Sequence, residues 1–239
     1  MSFKAIVFLL GHQAGVGKDT LGNHLIGKEG FIRFAFADKL KESVADLYGF
    51  TRQQMYTDEG KNIPDERYEK FGWSECVPGA EQFHEARWIK KGYYTPREIL
   101  QDFGQEQRAR FPDIWADYVF RQIEARLESD LSDLEDREPG RFVVTDFRFP
   151  NEFTVARKYA AKLNIKIIPV KIVRPGKRDD FPGVLNVSET ALNDFTQWKH
   201  ILRNDGSIDD LYTKYKSLDI NYFGGEMGST REVRTEVSV

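Results

Sequence analysis

The sequence predicts an α/β fold: a parallel five-stranded sheet flanked by helices and interrupted by one long, irregular insertion. Three observations predict it. Short apolar runs alternate with segments of helical spacing, the pattern of strands joined by crossover helices. The first run, Phe3 to Leu10, is apolar almost throughout and stops at Gly11, as a strand buried on both faces does. A later run, Arg141-Phe142-Val143-Val144-Thr145-Asp146, ends in a carboxylate, at the strand edge where open α/β sheets hold ligands.

After a glycine-containing loop, Leu21 to Ile26 begins a helix, and Phe31 to Phe36 reads as the second strand. Ala37 to Tyr48 carries Leu40, Val44 and Leu47 at helical spacing. Thr51 to Tyr94 holds Pro64, Pro78 and several glycines without sustained periodicity. It reads as an insertion with short helices at most. Thr95-Pro96-Arg97-Glu98 is a helix start, with threonine as cap, proline in the first turn and a glutamate three residues after the cap. That helix runs to about Arg110. Pro112 restarts another, with Trp115, Val119, Ile123 and Leu127 on one face.

Beyond the strand at 141–146, Asn151 is read as the cap of a helix reaching about Leu163, and Ile165 to Val173 as the next strand. Arg174 to Val187 is a polar loop, Ser188 to Phe195 a short helix, and His200 to Arg203 the last strand. Ser207 caps a helix through Ile208, Leu211 and Tyr215, and from Asn221 the apolar pattern stops. The expected organisation is one domain over 1–220, with an insertion at 51–94, a short lid at 174–187 and a C-terminal tail at 221–239.

No apolar run approaches the ~20 residues of a membrane span. The N-terminus lacks the basic start and cleavage site of a signal peptide. A single cysteine, Cys76, excludes an internal disulfide and suits a reducing, cytoplasmic setting. The net charge of -3 argues against general nucleic-acid binding, which needs a basic excess.

The chemistry concentrates at Gly15-Val16-Gly17-Lys18-Asp19-Thr20. A strand, a glycine turn and a helix start aim backbone N–H groups and the helix dipole at one anion. Gly15, Val16 and Gly17 supply the backbone, Lys18 reaches β/γ-phosphate oxygens, and Asp19 or Thr20 lies near Mg²⁺. The strict G-x-x-x-x-G-K-[ST] pattern puts its first glycine at position 12, where this chain has His12. Gly11 stands one residue early, so the loop has either an extra residue or a shifted first turn. The residue after Lys18 is Asp19, with the hydroxyl displaced to Thr20.

From here a family resemblance becomes specific. The chain resembles the phage-type deoxynucleoside monophosphate kinases, a branch of the P-loop nucleotide kinases. The matching segments are Gly-Lys-Asp-Thr at 17–20, Phe-Ala-Asp-Lys-Leu-Lys at 36–41 and Thr-Pro-Arg-Glu-Ile-Leu-Gln-Asp-Phe-Gly at 95–104. Trp115, Val-Val-Thr-Asp-Phe-Arg-Phe-Pro-Asn-Glu at 143–152, Arg174-Pro175-Gly176, Ser188-Glu189 and Asn204-Asp205-Gly206-Ser207 follow in family order. The resemblance implies the P-loop nucleotide kinase fold and ATP with Mg²⁺. Its substrate would be a deoxynucleoside monophosphate, with neither nucleic acid nor membrane as partner. It also suggests a homodimer, working in the host cytoplasm if the chain is phage-encoded. The insertion and the tail have no such match.

Such a reaction needs no general base. A phosphate monoester has a second pKa near ~6, so its oxygen is ready to attack, and the protein must supply cations and alignment. Lys18, Arg97, Arg148 and Arg174 form a candidate set, with Lys177 and Arg178 on the proposed lid. Asp146 is either a carboxylate near Mg²⁺, direct or through water, or a partner of Arg148 or a helix cap. Arg148 either grips a phosphate bidentately or pairs with Glu152. The resemblance turns Asp38 and Lys41 toward the monophosphate, whereas Asp38 as helix N-cap needs no ligand. Arg97, in a first helical turn where a cation is mildly unfavourable, and Gln101 one turn on are candidate acceptor contacts. Trp115 is a core residue or a substrate contact. Asn204 resembles the residue under adenine, and also fits a plain turn. The leading expectation is transfer from ATP to a deoxynucleoside monophosphate. A P-loop kinase of another small substrate, such as dephospho-coenzyme A, and a non-kinase P-loop ATPase switch are the alternatives.

Overall fold

A computed structural model describes residues 3–73, 88–130, 139–176 and 187–223. The strands are β1 (Ala5–Gly11), β2 (Ile32–Phe34), β3 (Glu69–Trp73), β4 (Trp88–Tyr93), β5 (Gly140–Phe147), β6 (Ile165–Val173) and β7 (His200–Arg203). The helices are α1 (Lys18–Lys28), α2 (Phe36–Tyr48), α3 (Arg52–Tyr56), α4 (Asp58–Asn62) and α5 (Pro96–Arg110). They continue with α6 (Ile114–Asp130), α7 (Pro150–Leu163), α8 (Val187–Thr190) and α9 (Ile208–Phe223).

Five strands form the main sheet in the order β2-β5-β1-β6-β7. β1 runs parallel to both β5 and β6, and β6 parallel to β7. All seven residues of β1 are buried, because this strand has a neighbour on each edge and packing on each face. The expected α/β class with a five-stranded, mostly parallel sheet is what the chain forms. No helix among the described residues is long and apolar enough to cross a membrane.

The chain divides into two compact units. The first comprises Met1–Arg33, Asp130–Pro150 and Arg157–Val239. Its core joins Ile6, Phe8 and Leu10 of β1 to Ile168, Val170 and Ile172 of β6, Leu21 and Leu25 of α1, and Leu211 and Tyr215 of α9. Phe8 meets Tyr215 edge-on with ring centroids 6.0 Å apart, a geometry aromatic quadrupoles favour. The last helix runs on to Phe223, and Tyr222 and Phe223 pack against this core. The tail expected from Asn221 thus starts later, because these aromatics extend the apolar face of α9.

The second unit comprises Phe34–Ser129 and Asn151–Ala156. The capping box at Thr95 forms as expected, Thr95 Oγ1 accepting from Glu98 N–H while Glu98 Oε2 accepts from Thr95 N–H. Trp115, Val119, Ile123 and Leu127 are buried along one face of α6. Three expectations are corrected. The second strand is only three residues long, because Phe36 opens α2 and sits 6.4 Å from the Phe120 ring. The insertion contains an antiparallel hairpin, β3 with β4, besides two short helices. Asn151 lies inside the first turn of α7 rather than at its cap, and its side-chain amide donates to Pro112 O and Asp113 Oδ1.

Candidate active site

The loop from His12 to Gly17 joins the end of β1 to the start of α1. Positive φ angles occur at His12 (94°), Gly15 (68°) and Gly17 (109°). His12 therefore adopts a backbone conformation that glycine favours, at the position where the strict pattern has glycine. The backbone at position 12 takes the angle that the first glycine of the strict pattern can take, so the loop fits the strict register with histidine in the glycine's place. Gly11 serves close packing at the end of the strand instead. A Cβ there would lie 2.6 Å from Trp198 Cη2 and 2.7 Å from Phe147 Cδ1.

Lys18 opens α1 and is only 5% exposed. Its ammonium folds back to donate to the carbonyls of His12, at 2.9 Å, and Gln13. Burial, then the nearby Arg148, push its pKa down to about 8, against the opposing pull of Glu189, Asp19 and Asp146. The lysine head thus sits within electrostatic reach of three carboxylates and one guanidinium.

Arg148, just past β5, pairs through Nη1 with Glu189 Oε1 and donates to Ser188 Oγ at 3.4 Å. Glu189 is a partner to which spacing along the chain does not point. The other oxygen of Glu189 accepts from the Ala14 N–H of the loop at 2.6 Å. Burial alone would raise the Glu189 pKa. Arg148, the Ala14 N–H and Lys18 outweigh it, and the carboxyl is held below its usual range. Glu189 is the site residue that reasoning along the sequence misses. Its one signal is membership of the Ser188-Glu189 segment.

Asn204 follows β7, and its side-chain amide donates to Val16 O at 2.8 Å. It also lies where a Gly17 Cβ would be, at 2.6 Å, so position 17 requires glycine on two counts. Thr145 is buried in β5 beside Gly22 of α1, where a Cβ would meet its methyl at 2.6 Å, and its Oγ1 has no hydrogen-bond partner among the described residues. The glycine lets helix and sheet approach closely. Asp19 and Thr20 occupy the first turn of α1, and Arg174 is exposed just beyond β6. Lys177 and Arg178, and most of the proposed lid, lie outside the described residues.

The other candidates belong to the second unit. Asp38 lies within the first turn of α2 rather than at its cap, which is Ala35. Lys41 sits over the Tyr56 ring at 4.8 Å. Arg97 holds Asn62 Oδ1 at 2.8 Å and Asp58 Oδ1 at 3.4 Å, tying α4 to α5. Gln101 is exposed one turn along. Trp115 is buried and lines a pocket of about 300 Å³ with Lys39, Phe103 and Tyr118. That pocket opens between other faces of α2 and α5 than those bearing Asp38, Lys41, Arg97 and Gln101.

No cluster of three or more histidine, cysteine or acidic residues able to hold a metal occurs among the described residues. Asp19, Thr20 and Asp146 nonetheless fit Mg²⁺ in donor chemistry. All three offer hard oxygens, and Mg²⁺ takes only one or two protein carboxylates where water and phosphate complete its shell. Both carboxylates act on the Lys18 ammonium, so their charge is directed at the loop.

No family model matches the chain. It is 28% identical over 203 residues to an Acanthamoeba polyphaga mimivirus protein named "Putative deoxynucleotide monophosphate kinase", covering 84% of this chain and 89% of that protein. Among solved structures, TT1252 from Thermus thermophilus is 15% identical with a TM-score of 0.40, over 92% of this chain and 98% of that one. A dephospho-CoA kinase from Campylobacter jejuni is 14% identical with the same score and the same coverage. Likenesses at that score say nothing of this chain's substrate.

Proposed function

We propose that this chain is an ATP-dependent kinase that phosphorylates a deoxynucleoside monophosphate to the diphosphate by direct in-line transfer. The observation that carries this reading is the loop between β1 and α1. It fits the strict register, its lysine is folded onto its own carbonyls, and Arg148 stands with Glu189 beside it. The similarity to the mimivirus protein over most of both chains supports the choice of acceptor.

In this reading the N–H groups of 15–20 and the dipole of α1 bind the phosphates of ATP. Lys18 leaves the carbonyls of His12 and Gln13 for a phosphate oxygen. Arg148, with Arg97 on the acceptor side, offsets the repulsion between two anions. Asp19, Thr20 and Asp146 would hold Mg²⁺, which supplies charge neutralisation on the phosphates when bound. Asn204 keeps the loop closed near the nucleoside end, and Asp38, Lys41 and Gln101 are assigned to the acceptor, whereas Trp115, on the pocket that opens between other faces, is left out of that set. The acceptor is already dianionic near neutral pH, so no side chain need remove a proton.

A coupled ADP-release assay tests this reading with each common monophosphate, deoxy and ribo, and with dephospho-coenzyme A. Stimulation by deoxynucleoside monophosphates is expected. Stimulation by dephospho-coenzyme A alone would replace the acceptor, and ATP turnover indifferent to every acceptor would overturn the kinase.

A further inference from the structure

The peptide group between Gln13 and Ala14 is engaged at both ends. Its carbonyl accepts from Lys18 Nζ, and its N–H donates to Glu189 Oε2 at 2.6 Å. The other oxygen of Glu189 holds Arg148, and the Glu189 charge acts on Lys18. A loop amide, a guanidinium and a lysine are the donors that a terminal phosphoryl group requires. Here the amide and the guanidinium meet on a carboxylate whose charge also acts on the lysine. Lysines of such loops serve the β/γ end of the triphosphate, and this lysine rests on the carbonyls of residues 12 and 13. The Ala14 N–H therefore belongs to the γ end of the cradle. A carboxylate and a phosphoryl group cannot share these donors, since like charges at contact distance repel strongly in a partly buried site.

We propose that Glu189 is a positioning residue that occupies the place of the transferred phosphoryl group when no triphosphate is bound. Arrival of the γ-phosphate takes over the Ala14 N–H and Arg148, and Glu189 moves aside. The proposal rests on the kinase reading above and adds to it a discrimination between ATP and ADP. ADP lacks the competing group and leaves Glu189 where it is. Glu189 sits in a four-residue helix followed by turns at Asn193 and Phe195, so its displacement disturbs little regular structure.

The test is equilibrium binding of ATP and of ADP to the wild-type chain and to Glu189→Gln, which keeps size and polarity but removes the charge. ATP should bind the variant roughly tenfold tighter, the scale of one charge-assisted hydrogen bond, with ADP changed by less than about twofold. Equal shifts for both nucleotides, or weaker ATP binding, would show that Glu189 only braces the loop and would overturn the proposal. Failure of the wild-type chain to bind either nucleotide overturns the kinase reading itself, and the placeholder with it. Circular dichroism establishes that the variant folds. Should it not, Glu189→Asp, whose carboxylate is drawn back by one methylene, must show the same ATP-over-ADP contrast at smaller size, and its absence there counts against the proposal.

Discussion

Lys18→Met separates what the lysine does for function from what it does to the fold. The lysine titrates near about 8 in the folded chain instead of 10.5, chiefly because it is buried and faces Arg148. Between those values the unfolded chain holds a proton that the folded chain has released. Stability then rises with pH across this window, and the cost of charging the buried ammonium is fully present below it. The shift corresponds to about 3 kcal/mol in all, of which about 2 kcal/mol is relieved between pH 7 and pH 9.5. Methionine does not titrate, so the stability of Lys18→Met minus that of wild type should fall by about 2 kcal/mol over that range. Other titrating groups cancel in the difference. Urea unfolding at the two pH values measures it, and a coupled assay should find the variant inactive. Isothermal titration in two buffers gives an independent check: a phosphate beside Lys18 restores its proton, so ATP binding near pH 8.5 should take up about three quarters of a proton. A stability difference that does not change with pH would refute the depressed pKa. Retained turnover would refute the role of the lysine.

The remaining predictions concern the backbone and the acceptor side. His12→Gly should stabilise the fold by about 1 kcal/mol in urea unfolding, because it relieves a positive φ and gives back part of that in unfolded-chain entropy; destabilisation would mean that the side chain is worth more than the strain. Gly11→Ala should cost about 1–3 kcal/mol through contact with Trp198 and Phe147, while Gly27→Ala, with open space around it in α1, should gain about 0.5–1 kcal/mol. A thermal-melting comparison of the two reads the contrast, and equal shifts would remove the packing argument. Arg97→Ala should change stability by less than about 1 kcal/mol, since its ion pair with Asp58 is exposed. It should raise KM for the monophosphate about tenfold or more without changing KM for ATP; an equal rise in both would end its assignment to the acceptor.

What the sequence made legible depended on local signals. The buried first strand, the capping box at Thr95 and the face Trp115, Val119, Ile123 and Leu127 each satisfy one period or one cap, and each appears in the structure, the strand over Ala5–Gly11 rather than from the exposed Phe3. The hairpin β3–β4 was not legible. Phe71, Trp88 and Ile89 are all exposed, so its strands carry no alternation between buried and open positions. Glu189 reaches Ala14 across 175 residues, a contact that no spacing rule encodes. His12 hid the register of the loop, because a rule written for glycine looks for a residue type when the backbone requires only an angle. Arg97 shows the reverse limit. Its place in the first turn flagged a cation needing a partner, and Asn62 and Asp58 supply one without any ligand.

The same contacts show how a loop that gathers cations and N–H donors balances their charge within the chain. Lys18 and Arg148 repel one another, and the loop's N–H groups add further positive potential. Three features offset this. Lys18 turns its ammonium onto the carbonyls of His12 and Gln13, Glu189 takes up the Ala14 N–H and Arg148, and Asn204 ties down Val16 from the far side. In the proposed reading the first two use groups that a phosphate would claim, so they are the ones expected to yield on binding. The third uses the Val16 carbonyl, which no phosphate can claim, so it can persist. Gly17 is fixed by that persistent contact, since any Cβ there would strike Asn204. Loss of activity on changing Asn204 therefore does not by itself identify an adenine contact. The same substitution loosens the phosphate loop, and only a separate effect on nucleobase preference would distinguish the two.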